Sequence, residues 1–166
     1  NTGYNAVLKR DIAIVNTAVG ANSVKWTPIG DADSVSYKGV FDGDGHTISG
    51  VYSNTKYACF FGFIGPGAVI KNLNLQNALV QSYFGVTSRA GLLSSMFSGE
   101  SVINVAVAGT VSDTTYAGGL AAIIKSKAYI DGFRGDVYFV GKAKKYNEYI
   151  VYSTKQVAGG VAALVL

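Results

Sequence analysis

The sequence predicts an all-β protein, a parallel β-solenoid of about four rungs, on three observations. Small, apolar and asparagine positions recur at matching distances after Cys59, Gly91 and Gly119. Glycine accounts for 21 of the 166 residues and tyrosine for 11, and 49% of the chain is hydrophobic. Only 14% of the residues are charged, against roughly 25% in most soluble domains. A period between roughly 20 and 50 residues indicates stacked repeats, each of which buries its apolar face against its neighbours.

The repeat is defined by columns of equivalent residues counted from Cys59, Gly91 and Gly119. Four columns are apolar in all three copies, at one (Phe60, Leu92, Leu120), eleven (Ile70, Val102, Ile130), fourteen (Leu73, Val105, Phe133) and twenty residues (Leu79, Val111, Phe139). Position zero holds small residues, so we expect Cys59, Gly91 and Gly119 to pack inward as structural residues.

A bend is predicted thirteen residues into each rung. Asn72, Asn104 and Gly132 stand there, and these residue types tolerate the left-handed backbone that a bend needs. Stacked rungs would place Asn72 above Asn104, where the two amides can form a hydrogen-bonded ladder. Both asparagines are therefore predicted to be structural.

The N-terminal part is predicted to be extended. Alternating side chains over residues 7–14 favour a strand, with a short helix as the alternative. Pro28 keeps residues 26–30 out of helical geometry. The single tryptophan, Trp26, is expected to cover one end of the core, and a ligand-stacking role is the sharper alternative.

A strand over residues 37–41 is followed by a tight turn, DGDGH at 42–46, and by another strand. We expect Gly43 and Gly45 to supply positive φ and the aspartates to bond their own backbone. Asp42 and Asp44 also resemble the start of a calcium loop, but the bidentate acidic ligand is missing. No metal site and no cofactor are predicted. The serine-rich residues 94–100 are predicted to form a surface loop.

Cys59 is the only cysteine, which excludes an internal disulfide and favours a buried structural residue. The net charge of +4 permits a polyanionic partner but does not require nucleic acid. Few charges, many turns and many aromatic residues suit a secreted β protein, so we expect an extracellular or cell-surface location. No apolar run is long enough for a membrane span, and we expect no membrane insertion.

A β-hairpin is predicted at residues 138–156. The next small-apolar mark, Gly160 and Val161, follows Gly119 by 41 residues, 13 more than the preceding interval of 28. Insertions in repeat arrays often lie on the binding face. The candidate binding residues, able to stack on sugars or hold acidic polymers, are Lys142, Lys144, Lys145, Tyr146, Tyr149 and Tyr152. The alternative is that the tyrosines pair across strands and the lysines protect an exposed edge.

Residues 1–166 are interpreted as a single solenoid domain. The chain stops in an apolar stretch inside a fourth rung, and uncapped solenoid ends pair readily. We therefore expect part of a longer chain or an end-to-end assembly. The expected partners are copies of the same chain, or host and matrix glycans or proteins.

The sequence resembles the GLUG-repeat proteins of bacterial surfaces. The matching segments are WTPIG at 26–30, FDGDGHTIS at 41–49, CFFG at 59–62, IKNL at 70–73 and AGGLA at 117–121. The resemblance implies a right-handed β-solenoid in large secreted or surface-anchored proteins, including adhesins and non-catalytic regions of some surface proteases. It carries over no catalytic residue.

The function expected from these observations is a non-catalytic structural or adhesive module that spaces, binds or polymerises into a surface fibre. A polysaccharide-binding or polysaccharide-cleaving β-helix, a lyase or hydrolase, is the alternative. Such an enzyme needs acids clustered on one face, whereas Asp113, Asp131 and Asp136 fall in different columns. No catalytic residue is predicted. A segment of a phage fibre is a further alternative, since it would have the same solenoid structure in a protein from a different source.

Overall fold

The computed structural model describes residues 3–14, 24–82, 87–113, 116–125, 128–139 and 161–166. Within these ranges the protein is all-β, with one 3₁₀ turn at Asp33–Val35. The strands in chain order are β1 (Ala6–Val7), β2 (Ile12–Ala13), β3 (Val40–Asp42), β4 (Thr47–Ser49), β5 (Tyr52–Asn54), β6 (Tyr57–Ala58), β7 (Phe61–Ile64), β8 (Val69–Ser82), β9 (Arg89–Gly91), β10 (Ser94–Phe97), β11 (Ser101–Asp113), β12 (Tyr116–Gly118), β13 (Ala121–Ile124), β14 (Tyr129–Asp131), β15 (Arg134–Phe139) and β16 (Ala162–Val165).

The strands form three parallel sheets that run along the molecule. The four-stranded sheet has the order β16-β13-β10-β7, and the three-stranded sheet has the order β12-β9-β6. The long-strand sheet is built on β8 and β11, with β1 to β5, β14 and β15 alongside. Every strand pair between described residues is parallel.

Each turn of the coil contributes to all three sheets in succession. β7, β8 and β9 form one turn, and β10, β11 and β12 form the next, stacked at the spacing of about 4.8 Å between neighbouring strands. The chain makes about three such turns, and β16 begins a further one. The predicted all-β parallel solenoid is confirmed.

The eleventh and fourteenth columns stack as predicted. Ile70 pairs with Val102, and Val102 pairs with Ile130. Leu73 pairs with Val105, and the pairing of β11 with β14 and β15 brackets Phe133 in the same column. The side chains of Ile70, Val102, Leu73 and Val105 are fully buried, so these columns form the interior of the coil.

The predicted alignment of position zero is wrong by one residue in the third copy. Gly91 pairs with Gly118 and not with Gly119. The offset between turns is one residue shorter here than in the long-strand sheet, where Val102 pairs with Ile130. The chain makes up the difference between β13 and β14, which are separated by one more residue than β10 and β11.

The twentieth column is confirmed for Val111 and Phe139, which are register partners. It is wrong by one residue in the first copy, since Val111 pairs with Val80 and not with Leu79. The pairing of β8 with β11 shifts by one residue between Val107 and Gly109. β8 carries the extra residue, and Asn77 adopts a left-handed φ of 52° beside this irregularity. A single inserted residue of this kind moves every later side chain by one position.

The N-terminal segment forms two short strands, where one strand over residues 7–14 was predicted. β1 pairs with β3 and β2 pairs with β4, and a turn separates β3 from β4. That turn uses Asp44 (φ 52°) and Gly45 (φ 79°), whereas Gly43 was expected to take positive φ. Gly43 is needed for a different reason, because a β-carbon there would collide with the Asn72 carbonyl oxygen.

Aromatic side chains fill the N-terminal end of the core. Phe61 and Phe41 meet edge-on, with ring centroids 5.3 Å apart. Trp26 stacks on Phe60 at 4.9 Å, and its indole N–H donates a hydrogen bond of 2.9 Å to the Phe60 carbonyl oxygen. The predicted structural role of Trp26 as a cover for the core is confirmed.

The interior contains small polar side chains as well as apolar ones. Ser94 and Ser95 are buried on β10, so the prediction of a surface loop was wrong for them and holds only after Phe97. Ser95 donates its hydroxyl hydrogen bond to the Gly62 carbonyl. Cys59 is fully buried, as predicted, and burial raises the pKa of its thiol.

The coil resumes at its C-terminal end with the predicted offset. Ala121 pairs with Ala162, the same 41-residue interval that separates Gly119 from Gly160 in the sequence. Most of the predicted hairpin, from residue 140 to residue 156, lies outside the described residues. Its first two residues, 138 and 139, belong to β15.

Candidate functional site

The six predicted binding residues fall on residues that the structure does not describe. Lys142, Lys144, Lys145, Tyr146, Tyr149 and Tyr152 all lie between residues 140 and 160. Their role stays a prediction. The described residues nearest to them in the chain include Tyr138 on β15, whose side chain is exposed.

The asparagine corner is the column of Asn72, Asn104 and Gly132, where the long-strand sheet bends, together with Asp42 on β3. Asp42 is the register partner of Lys71, one residue before this column. Asn72, Asn104 and Gly132 have left-handed φ values of 51°, 51° and 63°. The Asn104 amide donates to the Asn72 side-chain oxygen at 3.1 Å, and the Asn72 amide donates to the Asp42 carboxylate at 3.0 Å. The predicted asparagine ladder is confirmed, and it ends on a carboxylate.

Asp42 is held by three donors. Its carboxylate accepts the backbone N–H of Asp44 at 2.9 Å and the Asn72 amide, and its second oxygen lies 3.0 Å from the Lys71 ammonium. The Asp44 N–H, then the Asn72 amide and then Lys71 lower the pKa of Asp42 from its ordinary value. The aspartate that resembled a calcium ligand is thus engaged within the fold.

A second carboxylate holds the N-terminal layer to the coil. Asp11 accepts the backbone N–H of Thr47 at 2.9 Å and lies 3.2 Å from His46 Nδ1. The Thr47 N–H contributes most and His46 adds to it, and together they lower the pKa of Asp11. Within the described part of the chain, no group of three or more histidines, cysteines, aspartates or glutamates is placed to bind a metal.

The aromatic corner is the junction of the three-stranded and four-stranded sheets, formed by Tyr57, Arg89 and Tyr116 over Phe63, Met96 and Ile123. Tyr57, Arg89 and Tyr116 are register partners on β6, β9 and β12. They therefore stand one above another, one residue per turn.

The second row of the aromatic corner is buried although it lies apart from the main core. Phe63, Met96 and Ile123 are register partners and are 3 to 4% exposed. Tyr57 and Tyr116 pack against this row, and Tyr57 meets Phe63 edge-on at 5.0 Å. The tyrosine rings are therefore held at the surface by a packed apolar base.

Arg89 occupies the middle of the aromatic corner with few acceptors. Its guanidinium carbon lies 5.6 Å from the centroid of the Tyr57 ring, and one terminal nitrogen contacts the Met96 sulfur at 3.8 Å. Its Nε is buried and has no hydrogen-bond partner among the described residues. Among the described residues two ion pairs form, His46 with Asp11 and Lys71 with Asp42, and neither includes Arg89.

A cleft of about 190 Å³ adjoins the aromatic corner and shares Tyr57 with it. The Lys56 ammonium lies 5.2 Å from the centroid of the same Tyr57 ring. The remaining lining residues are Thr27, Pro28, Asp31 and Thr55. The hydroxyl oxygen of Thr55 is buried and has no partner in the described part of the chain. The cleft therefore offers a ring face, hydroxyls, a carboxylate and a cation within one small volume.

A broader and shallower groove of about 290 Å³ crosses the long-strand sheet. Ala106 and Ala108 lie on β11 between Gln76 on one side and Arg134 and Asp136 on the other. Gln76, Arg134 and Asp136 are exposed, so the polar side chains that line this groove face solvent.

The aromatic corner was not predicted from the sequence. The signal was present, because Tyr57, Arg89 and Tyr116 each stand two residues before the stacked small residues Cys59, Gly91 and Gly118. The one-residue error at Gly119 moved Tyr116 out of that column. Lysine and tyrosine density drew attention to residues 138–156 instead.

Comparisons with known proteins give two matches. Halomucin of Haloquadratum walsbyi is 28% identical over 120 residues, which cover 70% of this chain and 1% of halomucin. A crystal structure of a presumed immunoglobulin A1 protease from Bacteroides ovatus superposes with a TM-score of 0.66 and 20% identity, covering all of this chain and 48% of that chain. The second likeness concerns the fold alone. No family model matches the sequence. In the described residues no helix has the length and apolar character needed to cross a membrane.

Proposed function

We propose that this chain is a non-catalytic extracellular module of the GLUG-repeat kind, a rigid β-solenoid that serves as a spacer and binding surface in a larger surface protein. The observation that carries the proposal is the stacking itself. Each turn packs on the next through three parallel sheets and one continuous core. Such a coil is stabilised by nearest-neighbour contacts and extends by adding turns.

The asparagine corner supports a role as a rigid spacer. Side-chain hydrogen bonds join three successive turns through Asp42, Asn72 and Asn104. A ladder of this kind resists both sliding and unstacking, because each amide bonds to the turn beside it. Rigidity along the axis is the property that a spacer needs.

The similarity to halomucin supports a place within a longer chain. Most of this chain matches a segment that is only 1% of halomucin, as expected for a module that occupies a small part of a large protein. Extracellular location and assembly with copies or matrix glycans belong to the same proposal.

Antibody labelling tests the location. Antibodies raised against the purified chain should label intact source cells or their secreted material, and brief protease treatment of intact cells should remove the label. Labelling that requires permeabilised cells would contradict the extracellular assignment.

Electron microscopy and a product assay test the remaining parts. Native material should contain rods or filaments, whereas compact isolated particles would contradict the spacer role. Incubation with polygalacturonate should release no unsaturated products. Their release would overturn the non-catalytic assignment and favour the lyase alternative.

A further inference from the structure

We propose that the aromatic corner and its adjoining cleft bind a carboxylate-bearing polysaccharide, a uronic acid polymer laid along the solenoid axis. The proposal rests on the extracellular binding role proposed above and names the ligand class of that surface. It uses Lys56, Tyr57 and Arg89 as contact residues, together with Asp31 and Thr27 in the cleft.

Arg89 has hydrogen-bond donors that the described residues leave unused. A guanidinium group carries five N–H donors and matches a carboxylate with two parallel hydrogen bonds. In this protein one terminal nitrogen contacts a thioether sulfur, a weak acceptor, and the buried Nε has no partner among the described residues. The guanidinium group is thus partly removed from water without a strong acceptor in the described part of the chain. An anionic oxygen bound to its terminal nitrogens would supply that acceptor.

Positive charge is concentrated around Tyr57. Lys56 and Arg89 both approach its ring, at 5.2 and 5.6 Å from the centroid. Two cations over one aromatic ring concentrate positive charge beside the cleft and attract an anion. The Tyr57 side chain also lines the cleft, where it offers a sugar acid apolar surface in addition to the two cations.

The cleft is lined by polar groups that can form hydrogen bonds with hydroxyls. Asp31 offers a carboxylate that would repel a bare anion but accepts hydrogen bonds from hydroxyl groups. Thr27, an exposed residue of the cleft lining, adds a hydroxyl that both donates and accepts hydrogen bonds. Hydroxyl-rich ligands satisfy both groups, which favours a saccharide over an acidic peptide.

The aromatic corner extends over several turns along the solenoid axis. Tyr57, Arg89 and Tyr116 place one side chain of the aromatic corner on each of three successive turns, so the two tyrosines stand roughly 9 to 10 Å apart. That distance suits an extended chain that spans several turns. The recognised ligand is therefore a polymer and not a single sugar.

Affinity electrophoresis or calorimetry with the full chain tests the proposal against four polymers: polygalacturonate, neutral dextran, dextran sulfate and polyglutamate. We expect the tightest binding to polygalacturonate. Arg89→Gln should weaken it about tenfold, the loss expected for one charge-assisted hydrogen-bonded contact. Arg134→Gln is the matched control, because it removes the same charge from the exposed face of β15, and it should change affinity less than about twofold.

Lys56→Gln keeps the test decisive if Arg89→Gln perturbs folding, since Lys56 is exposed. It should weaken polygalacturonate binding about threefold with an unchanged circular dichroism spectrum. Equal binding to dextran would overturn the carboxylate part, and equal binding to polyglutamate would overturn the saccharide part. Tighter binding to dextran sulfate would assign the site to sulfate, and equal losses in Arg89→Gln and Arg134→Gln would show general charge attraction. Each of these failures leaves the spacer role, its rods and its surface labelling intact.

Discussion

The asparagine corner and the aromatic corner are built by the same device and have opposite chemistry. Both stack one side chain per turn in register. In the asparagine corner each donor meets an acceptor on the next turn, from Asn104 to Asn72 to Asp42. In the aromatic corner the central guanidinium meets a ring and a sulfur.

The difference teaches how a repeat protein separates stability from binding. A column of matching polar groups closes on itself and stabilises the coil. A column that places Arg89 between two tyrosines leaves hydrogen-bonding capacity unused, which lowers stability slightly and leaves donors available to a ligand. The predictions below change one corner at a time.

Replacing Asn72 should give the largest effect. Asn72→Ala places alanine at a left-handed φ, which costs roughly 1–2 kcal/mol. It also removes two side-chain hydrogen bonds worth about 1 kcal/mol each. We expect the free energy of unfolding to fall by about 3–4 kcal/mol, measured by urea denaturation.

Asn72→Gly is the matched control, since glycine accepts the left-handed backbone and stands in this column at Gly132. It should lose about half as much stability, because only the hydrogen bonds are removed. Equal losses for alanine and glycine would show that backbone strain is not part of the effect.

The stability of the protein should also depend on pH in the acid range. Asp42 and Asp11 have lowered pKa values in the folded protein, so each contributes stability that is fully present above the unfolded value near 3.8. That contribution is lost as the pH falls through the folded value. The urea midpoint should therefore drop between about pH 5 and pH 2.

Asp42→Asn should flatten that acid decline while keeping an acceptor for the Asp44 and Asn72 donors. Adding Asp11→Asn should flatten it further, since Asp11 titrates in the same direction. A double variant that retains the whole wild-type decline would show that other carboxylates cause it.

Replacing Arg89 should give the smallest change in stability and the opposite sign. Arg89→Met keeps a flexible stem beside Met96 and removes a partly buried charge without a strong acceptor among the described residues. We expect the free energy of unfolding to rise by up to about 1 kcal/mol, less than for fully buried ion pairs because Arg89 is partly solvated. Thermal unfolding checks it, with Arg134→Met as the exposed control, and a clear loss of stability in Arg89→Met would contradict the contrast between the corners.

Much of the fold was predictable because a solenoid repeats its environment. The apolar columns at Ile70 and Leu73 and the amide column at Asn72 recur since each position meets the same neighbours in every turn. The errors at Gly119 and Leu79 share one cause. A single inserted residue leaves the local pattern intact but displaces everything after it, and only the strand pairing reveals the displacement.

The sequence by itself determined the architecture, the inward column at Cys59 and the amide ladder, because these depend on residue type at a fixed period. The tertiary structure alone decided that Arg89 stands between two tyrosines and beside a thioether, and that Ser94 and Ser95 are interior. The physical reason is distance along the chain. Tyr57, Arg89 and Tyr116 are separated by about thirty residues each, and the donors and acceptors that meet there depend on the register, which strand pairing sets one hydrogen bond at a time.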